Sequence, residues 1–377
     1  MNMRILVLNH EFPPIGGGGG KVAEDIAQGL VERGHDVLVL TSHYKGLPIV
    51  EDRKGVQIRR FSVLRNSLYR ATLLSMGAFV GVGIFHGVKT IARWKPDVLH
   101  VHFAVPAGAL GWVLNRLTGK PYLLTVHLGD VPGGTPEKTG RWFRWLLPFT
   151  PPIWKCATRI VAVSQFTRDL ARQTYPLEMD VIPNGVDTQQ VTPGIIQIHE
   201  PPQIVFAGRF EPQKNPLQIV NVLSKLKDLP WVCVMLGDGS MKPAVEREVE
   251  RQNLQNRIFL KGWVEPKDVL AEFARSDILF MPSRSEGLPV VGVQALAMGL
   301  AIVAGNIGGF VDVVQPGVNG SLFDPDDTSA MEAVLRRLLS DPQTLMDTRL
   351  ASRRLSARFD LAAIVERYEA AFETIVG

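Results

Sequence analysis

Cysteine is nearly absent: the 377 residues hold two, Cys156 and Cys233, both in apolar surroundings and at no metal-ligand spacing. That excludes a disulfide framework and a zinc module, and it favours a reducing compartment. The chain opens directly on a strand pattern, with no basic segment and small-residue cleavage site, so a secretory signal is not expected. Internal repeats and low-complexity tails are also missing. Acid is missing in one place: Arg59 to Lys95 carries seven basic residues and no Asp or Glu.

Inside that stretch lies an uncharged run, Ala71 to Val88 (ATLLSMGAFVGVGIFHGV). By length it could cross a bilayer. Four glycines and a histidine make it a poor lipid-facing span, so a buried or interfacial helix is expected. A second basic and aromatic stretch spans Lys138–Lys155, with Arg141, Trp142, Phe143, Arg144, Trp145 and Trp154. Residues 1–190 hold 22 basic and 14 acidic residues, whereas the remainder holds 19 and 23. No nucleic-acid recognition motif accompanies the charge, so nucleic acid is not expected as a partner. An anionic membrane surface suits it better.

What is present is a globular composition, 46% apolar and 21% charged, in a chain too long for one ordinary core. Short apolar strands alternate with helical segments. Met3–Leu8, Asp36–Leu40, Val98–Val101, Tyr122–Val126 and Ile160–Val163 make a first series, closed by Val181–Pro183. A loop-like stretch near 184–202 separates it from a second: Gln203–Ala207, Val232–Leu236, Ile258–Leu260 and Ile278–Phe280. Two such series predict an α/β chain with two doubly wound Rossmann-like domains facing a cleft. The domains are placed at 1–190 and 191–359, with a helix at 360–377 returning to the first.

Five glycines, Gly16 to Gly20, precede Lys21 and a helical pattern. A P-loop needs a glycine where Ile15 stands and a hydroxyl where Val22 stands. A dinucleotide fingerprint needs its glycines directly after the strand and an acid where Thr41-Ser42 ends strand two. Both fail, and with the second goes a dehydrogenase.

Ligands of such sheets lie beyond the carboxyl ends of the strands. There the sequence places the glycines, His127 with Asp130 three residues on, Gly208-Arg209 with Lys214, Gly237-Asp238-Gly239, and Glu286-Gly287 ahead of a helix from Val290. Two cations and a helix N-terminus predict a diphosphate site. His10, His35, His100 and His102 are read as structural.

These pieces together resemble the retaining GT-B glycosyltransferases of the family-4 type (glycosyl transferases group 1). Residues 11–41 resemble the family's opening and IPNGVD (182–187) its interdomain segment. GRFEPQKN (208–215) resembles its G-R-x4-K element, residues 285–309 its E-x7-E region, and FDLAAIVERYEAAF (359–372) its returning helix. The resemblance covers nearly the whole chain.

It implies transfer of a sugar from a UDP-, GDP- or ADP-sugar to a glycan or lipid-linked hydroxyl, with retention. Arg209 and Lys214 would neutralise the leaving diphosphate, so no metal and no cofactor is expected. Glu286 would hold donor-sugar hydroxyls and His127 would lie near the transferred sugar. Gly17 and Gly18 would let the backbone approach the donor. Gly287, Leu288 and the amides of Val290 and Val291 would face phosphate. Asp238, Gly239 and Val264 would frame the base through backbone groups.

Gln294 stands where the family has a second glutamate for the ribose, a departure that removes a charge. Lys21 and Asp130 are acceptor-side candidates. A cytoplasmic protein of polysaccharide or cell-envelope biosynthesis, peripheral on the inner face of the membrane, is implied. The alternatives are a GT-B nucleotide-sugar epimerase, a phosphorylase and a non-catalytic nucleotide-sugar-binding protein.

Overall fold

The computed structural model describes residues 2–68, 71–135 and 143–377. Lys138, Arg141 and Trp142 of the second basic stretch lie outside the described residues. The chain divides into two compact units: residues 1–185 with 361–377, and residues 186–360.

Unit 1 holds eight strands: β1 (Arg4–Leu8), β2 (Asp36–His43), β3 (Val50–Arg53), β4 (Val56–Ser62), β5 (Val98–His102), β6 (Tyr122–Val126), β7 (Arg159–Ala162) and β8 (Asp180–Val181). Their order is β3-β4-β2-β1-β5-β6-β7-β8, parallel throughout except for β3 against β4. The hairpin β3–β4 adds an edge that the sequence reading did not include. β1, β5 and β6 are buried almost end to end, which a parallel sheet covered on both faces requires.

Three helices of this unit matter most: α1 (Gly18–Glu32), α2 (Leu73–Trp94) and α3 (Ala109–Thr118). α2 takes in the uncharged run from Leu73 onward, with Thr72 as its N-cap. α4 (Gln165–Thr174) follows β7.

Unit 2 is a six-stranded all-parallel sheet in the order β11-β10-β9-β12-β13-β14. Its strands are β9 (Gln203–Ala207), β10 (Val232–Leu236), β11 (Ile258–Gly262), β12 (Ile278–Met281), β13 (Ala301–Gly305) and β14 (Gly320–Phe323). The helices of at least eight residues are α5 (Pro216–Leu223), α6 (Lys242–Arg251), α7 (Pro266–Phe273), α8 (Val290–Ala297), α9 (Thr328–Ser340) and α10 (Pro342–Leu355). At the amino ends of the strands, buried Asp277 accepts from Arg349 and from the Gln203 amide at 2.8 Å. The Arg349 Nε–H donates to the Gly299 carbonyl at 2.8 Å.

The chain then re-enters unit 1 as α11 (Leu361–Val376), burying Ile364, Val365, Tyr368, Ala371 and Phe372. Gly29 of α1 is the crossing point: a Cβ there would lie 2.5 Å from Val365 Cγ2. Glu369 fixes the helix by accepting from Arg33 Nε at 2.5 Å and pairing with His35 Nε2 at 2.9 Å.

Among the parallel strands of each sheet the order reverses direction once, between β1 and β5 in unit 1 and between β9 and β12 in unit 2. Loops leaving adjacent strands there diverge and open a crevice at the carboxyl edge.

Candidate active site

In unit 2 the loop after β9, at the switch point, is tied by its backbone to the loop after β10. The Gly208 amide donates to the Leu236 carbonyl at 3.0 Å, and the Phe210 amide to Asp238 at 2.9 Å. Gly237 has a φ of +135°, and a Cβ there would lie 1.9 Å from the Gly208 oxygen. Only glycine fits that approach. The 208–215 loop is also joined to the one after β12: Gln213 Nε2 donates to the Ser285 carbonyl at 2.9 Å, and the Arg284 amide to Gln213 at 2.8 Å.

These ties bring Lys214 against Glu286. Their side chains form an ion pair, 14% and 8% exposed. Arg209 is exposed beside it and has no acidic partner among the described residues. The Glu286 loop rests on Gly308 and Gly309, where a Cβ would lie 1.6 Å from the Glu286 oxygen and 1.8 Å from the Gly287 oxygen. Neither glycine was singled out from the sequence, although both fall in the segment that carries the resemblance.

α8 begins after Pro289, which supplies no side-chain cap. Its first bonds within the helix run from Gly292 and Val293 to the Pro289 carbonyl, leaving the Val290 and Val291 amides outside the ladder. Leu288 is buried; Gln294 is half-buried, one turn into the helix. The Asp238 carboxylate is exposed and accepts from the Gly239 amide at 2.7 Å, while Val264 is half-buried after β11.

The chain does contain one D-x-D triplet, Asp324-Pro325-Asp326. It follows β14, and Asp326 is engaged bidentately by Arg284 at 2.7 and 2.5 Å.

In unit 1 the glycine run is not one loop. Gly18, Gly19 and Gly20 form the first turn of α1, so the helix begins within the glycines that the sequence places ahead of it. The glycines do different things. A Cβ at Gly16 (φ +94°) would strike the Glu11 side chain at 2.5 Å, at Gly19 the Phe103 ring at 2.4 Å, and at Gly20 the Glu11 carbonyl at 2.7 Å. At Gly17, the N-cap, a Cβ would meet nothing within 4 Å, so this glycine faces open space.

Lys21 does not face that opening. Its ammonium pairs with Glu24 at 3.1 Å and Asp25 at 2.6 Å along the helix.

Asp130, read from the sequence as either acceptor contact or loop cap, caps its loop. Its buried carboxylate accepts from the Ala104 amide at 2.9 Å and the His127 amide at 2.8 Å. Burial pushes its pKa up to about 7, against the opposing pull of those amides.

His127 is held by the same turn. Its side chain accepts from the Asp130 amide, while Nε2 has no partner. With Nδ1 as the accepting atom, the ring would carry its proton on Nε2, free to donate. Burial lowers the ring's pKa to about 4, with His10 adding to the effect, so it is neutral at pH 7.

Phe103, which sequence reasoning missed, stacks on His127 at 4.3 Å and meets His10 edge-on at 5.2 Å. It follows β5 directly, the position that the strand-end rule singles out. Its φ of +73° is unusual for an aromatic residue. His100 and His102 are buried in the sheet below, as expected of structural residues.

Two family models divide the chain between them. Glycosyltransferase Family 4 matches residues 16–190 and glycosyl transferases group 1 matches residues 191–354. This chain is a family-4-type GT-B glycosyltransferase. A relative from Escherichia coli, UDP-Gal:alpha-D-GlcNAc-diphosphoundecaprenol alpha-1,3-galactosyltransferase, is 29% identical over 67% of this chain and 69% of its own length.

Among solved structures, the glycosyltransferase is similar in fold to sucrose-phosphate synthase from Thermosynechococcus elongatus. That match has a TM-score of 0.87 at 18% identity, covering 100% of this chain and 99% of the other. It is also similar to Anabaena Alr3699/HepE in complex with UDP and glucose, with a TM-score of 0.77 at 19% identity over 99% and 100%.

Proposed function

We propose that the glycosyltransferase moves a hexosyl group from a nucleoside-diphosphate sugar to a hydroxyl of a glycan or lipid-linked glycan, with retention and without a metal ion. The observation that carries this reading is the buried Lys214–Glu286 pair at the switch point of unit 2, with the unpaired Arg209 beside it. An arginine, a lysine and the open amides of Val290 and Val291 suit a diphosphate, and an adjacent carboxylate suits sugar hydroxyls. Gln294 would accept from and donate to the ribose diol. Asp238, Gly239 and Val264 would frame the base. In unit 1 the Nε2–H of His127 is a neutral donor for a hydroxyl, and Gly17 leaves its face open to a ligand.

In the reaction the anomeric carbon–phosphate oxygen bond breaks and a bond to the acceptor oxygen forms on the same face. The acceptor proton passes to the departing phosphate. Charge grows on the diphosphate as the bond breaks, so Arg209 and Lys214 bind it more tightly in the transition state than in the ground state. No second carboxylate is needed, in contrast to glycoside hydrolysis.

The donor class draws support from the HepE complex with UDP and glucose, and a lipid-linked acceptor from the name of the Escherichia coli relative. Within the basic stretches Arg59–Lys95 and Lys138–Lys155, Arg60, Arg65 and Trp154 are buried, so exposed residues such as Arg59, Lys89, Arg93, Lys95 and Lys155 would rest on an anionic membrane surface, placing the enzyme peripherally on the cytoplasmic face.

Nucleotide sugars should be screened in EDTA for thermal stabilisation and hydrolysis, with the product anomer read by NMR. A donor at one hundred times its Kd stabilises by about 2.7 kcal/mol. Turnover that vanishes in chelator and returns with magnesium overturns metal independence, and an inverted anomer overturns retention.

A further inference from the structure

α2 is apolar on both sides. Its inner face packs through Phe79, Gly83 and Gly87; a Cβ at Gly83 would lie 2.7 Å from Leu110 and at Gly87 2.5 Å from Leu114, so α3 is in close contact. The outer face of a surface helix is ordinarily polar. Here it is Leu74, Gly77, Gly81, Phe85, Val88 and Ala92, with Leu74 69% and Phe85 68% exposed. Gly81, Ile84, Phe85 and Val88 form a shallow, open apolar face together with Lys89 and Arg93. The Lys89 ammonium lies 6.0 Å from the centre of the Phe85 ring.

The geometry points to α2 lying in the plane of an anionic bilayer, with Leu74, Phe85 and Val88 among the acyl chains and Lys89 and Arg93 on lipid phosphates. This inference rests on the membrane reading above and names the element that inserts. Three features argue for it. The apolar stripe runs nearly the whole of a helix of 22 residues, about 33 Å long, so it is an extended contact and not a point. Lys89 and Arg93, the exposed cations of this face, lie in its C-terminal half and the helix carries no acid, so the occupant is anionic. The inner face is fixed on α3 and the sheet, which allows the helix to lie on a membrane but not to cross one.

The full chain is sedimented with vesicles of phosphatidylcholine alone and of equal parts phosphatidylcholine and phosphatidylglycerol, at low and high salt. The wild type should partition to the anionic vesicles. Leu74→Glu/Phe85→Glu should lower that partition by about tenfold or more at either salt. Lys89→Glu/Arg93→Glu should lower it by about tenfold at low salt and much less at high salt. Circular dichroism and donor hydrolysis without vesicles should not change, because these side chains touch neither the core nor the proposed site.

Anionic binding that survives Leu74→Glu/Phe85→Glu intact overturns the role of α2 and leaves the membrane reading standing. Equal sedimentation with both vesicle types overturns the anionic occupant. No sedimentation overturns both readings.

Discussion

His127 and Asp130 close a turn on each other: Asp130 Oδ2 accepts from the His127 amide at 2.8 Å, and the His127 ring accepts from the Asp130 amide. The carboxylate therefore acts on the histidine by holding its backbone, and with it the direction of the ring. Removing it would turn the free Nε2–H away without changing the residue that carries it.

This arrangement has a pH signature. Burial holds His10 and His127 at about 4 and His100 at about 3, with His102 also well below the ordinary value of 6.5. The unfolded chain binds these protons first, so their stabilisation is present above pH 6.5 and is lost as pH falls towards 4. Asp130 runs the other way: its contribution is full below pH 3.8 and is lost as pH rises through 7. Four rings outweigh one carboxyl between pH 4 and 6.5. Seven of the eight histidines lie in unit 1, so hydrogen exchange on acidification should expose unit 1 amides first. Loss in both units together would remove the histidines as the cause. Asp130→Asn should flatten the decline above pH 6.5.

Lys214→Ala should destabilise unit 2 by about 3–5 kcal/mol, because it leaves the Glu286 carboxylate buried without a partner. Adding Glu286→Gln should restore most of that stability, with no return of turnover. Denaturant midpoints of the single and double variants decide the point. A single variant as stable as wild type would mean that the pair is open to solvent.

Arg209→Ala should behave oppositely. Its side chain is exposed and pairs with no described acid, so melting should be unchanged. If it stabilises the leaving diphosphate, kcat/KM should fall by on the order of 10²–10³. Lys21→Ala in the same assay should be mild, since its ammonium is occupied by Glu24 and Asp25. The reverse ranking would move the phosphate site to the other unit.

Among the glycines, Gly17→Val should leave the melting temperature unchanged and lower activity, because its Cβ enters open space. Gly19→Ala should instead displace the Phe103 ring and, through their stacking, His127. The expected readout is a fall in kcat with little change in KM. A KM effect alone at Gly19 would separate Phe103 from His127.

Gln294→Ala should weaken donor affinity by about 1–2 kcal/mol, and Gln294→Glu should keep or raise it. Calorimetry with the nucleoside diphosphate reads both, and unchanged affinity in the alanine variant would turn the residue away from the ribose.

The central strands were legible because a strand buried on both faces is an unbroken apolar run, as RILVL and LLTV are. β3 and β4 were not: VEDR and VQIRRFS carry charges that belong to an edge hairpin. The strand-end rule found Arg209, Lys214, Glu286 and His127 by position. It could not show that the Asp130 carboxylate points back into its own turn, or that Lys21 already has two partners, because spacing says nothing about side-chain direction. Phe103 went unread because an aromatic after a strand looks like core until its φ of +73° and its rings are seen.

The return of α11 sets the timing of folding during synthesis. Residues 186–360 leave the ribosome as one uninterrupted segment and can complete their unit as they emerge. The earlier unit waits, with Gly29, His35 and Thr125 uncovered, until α11 has been made and packs on them. The surface left bare in that interval is where a chaperone would find this chain.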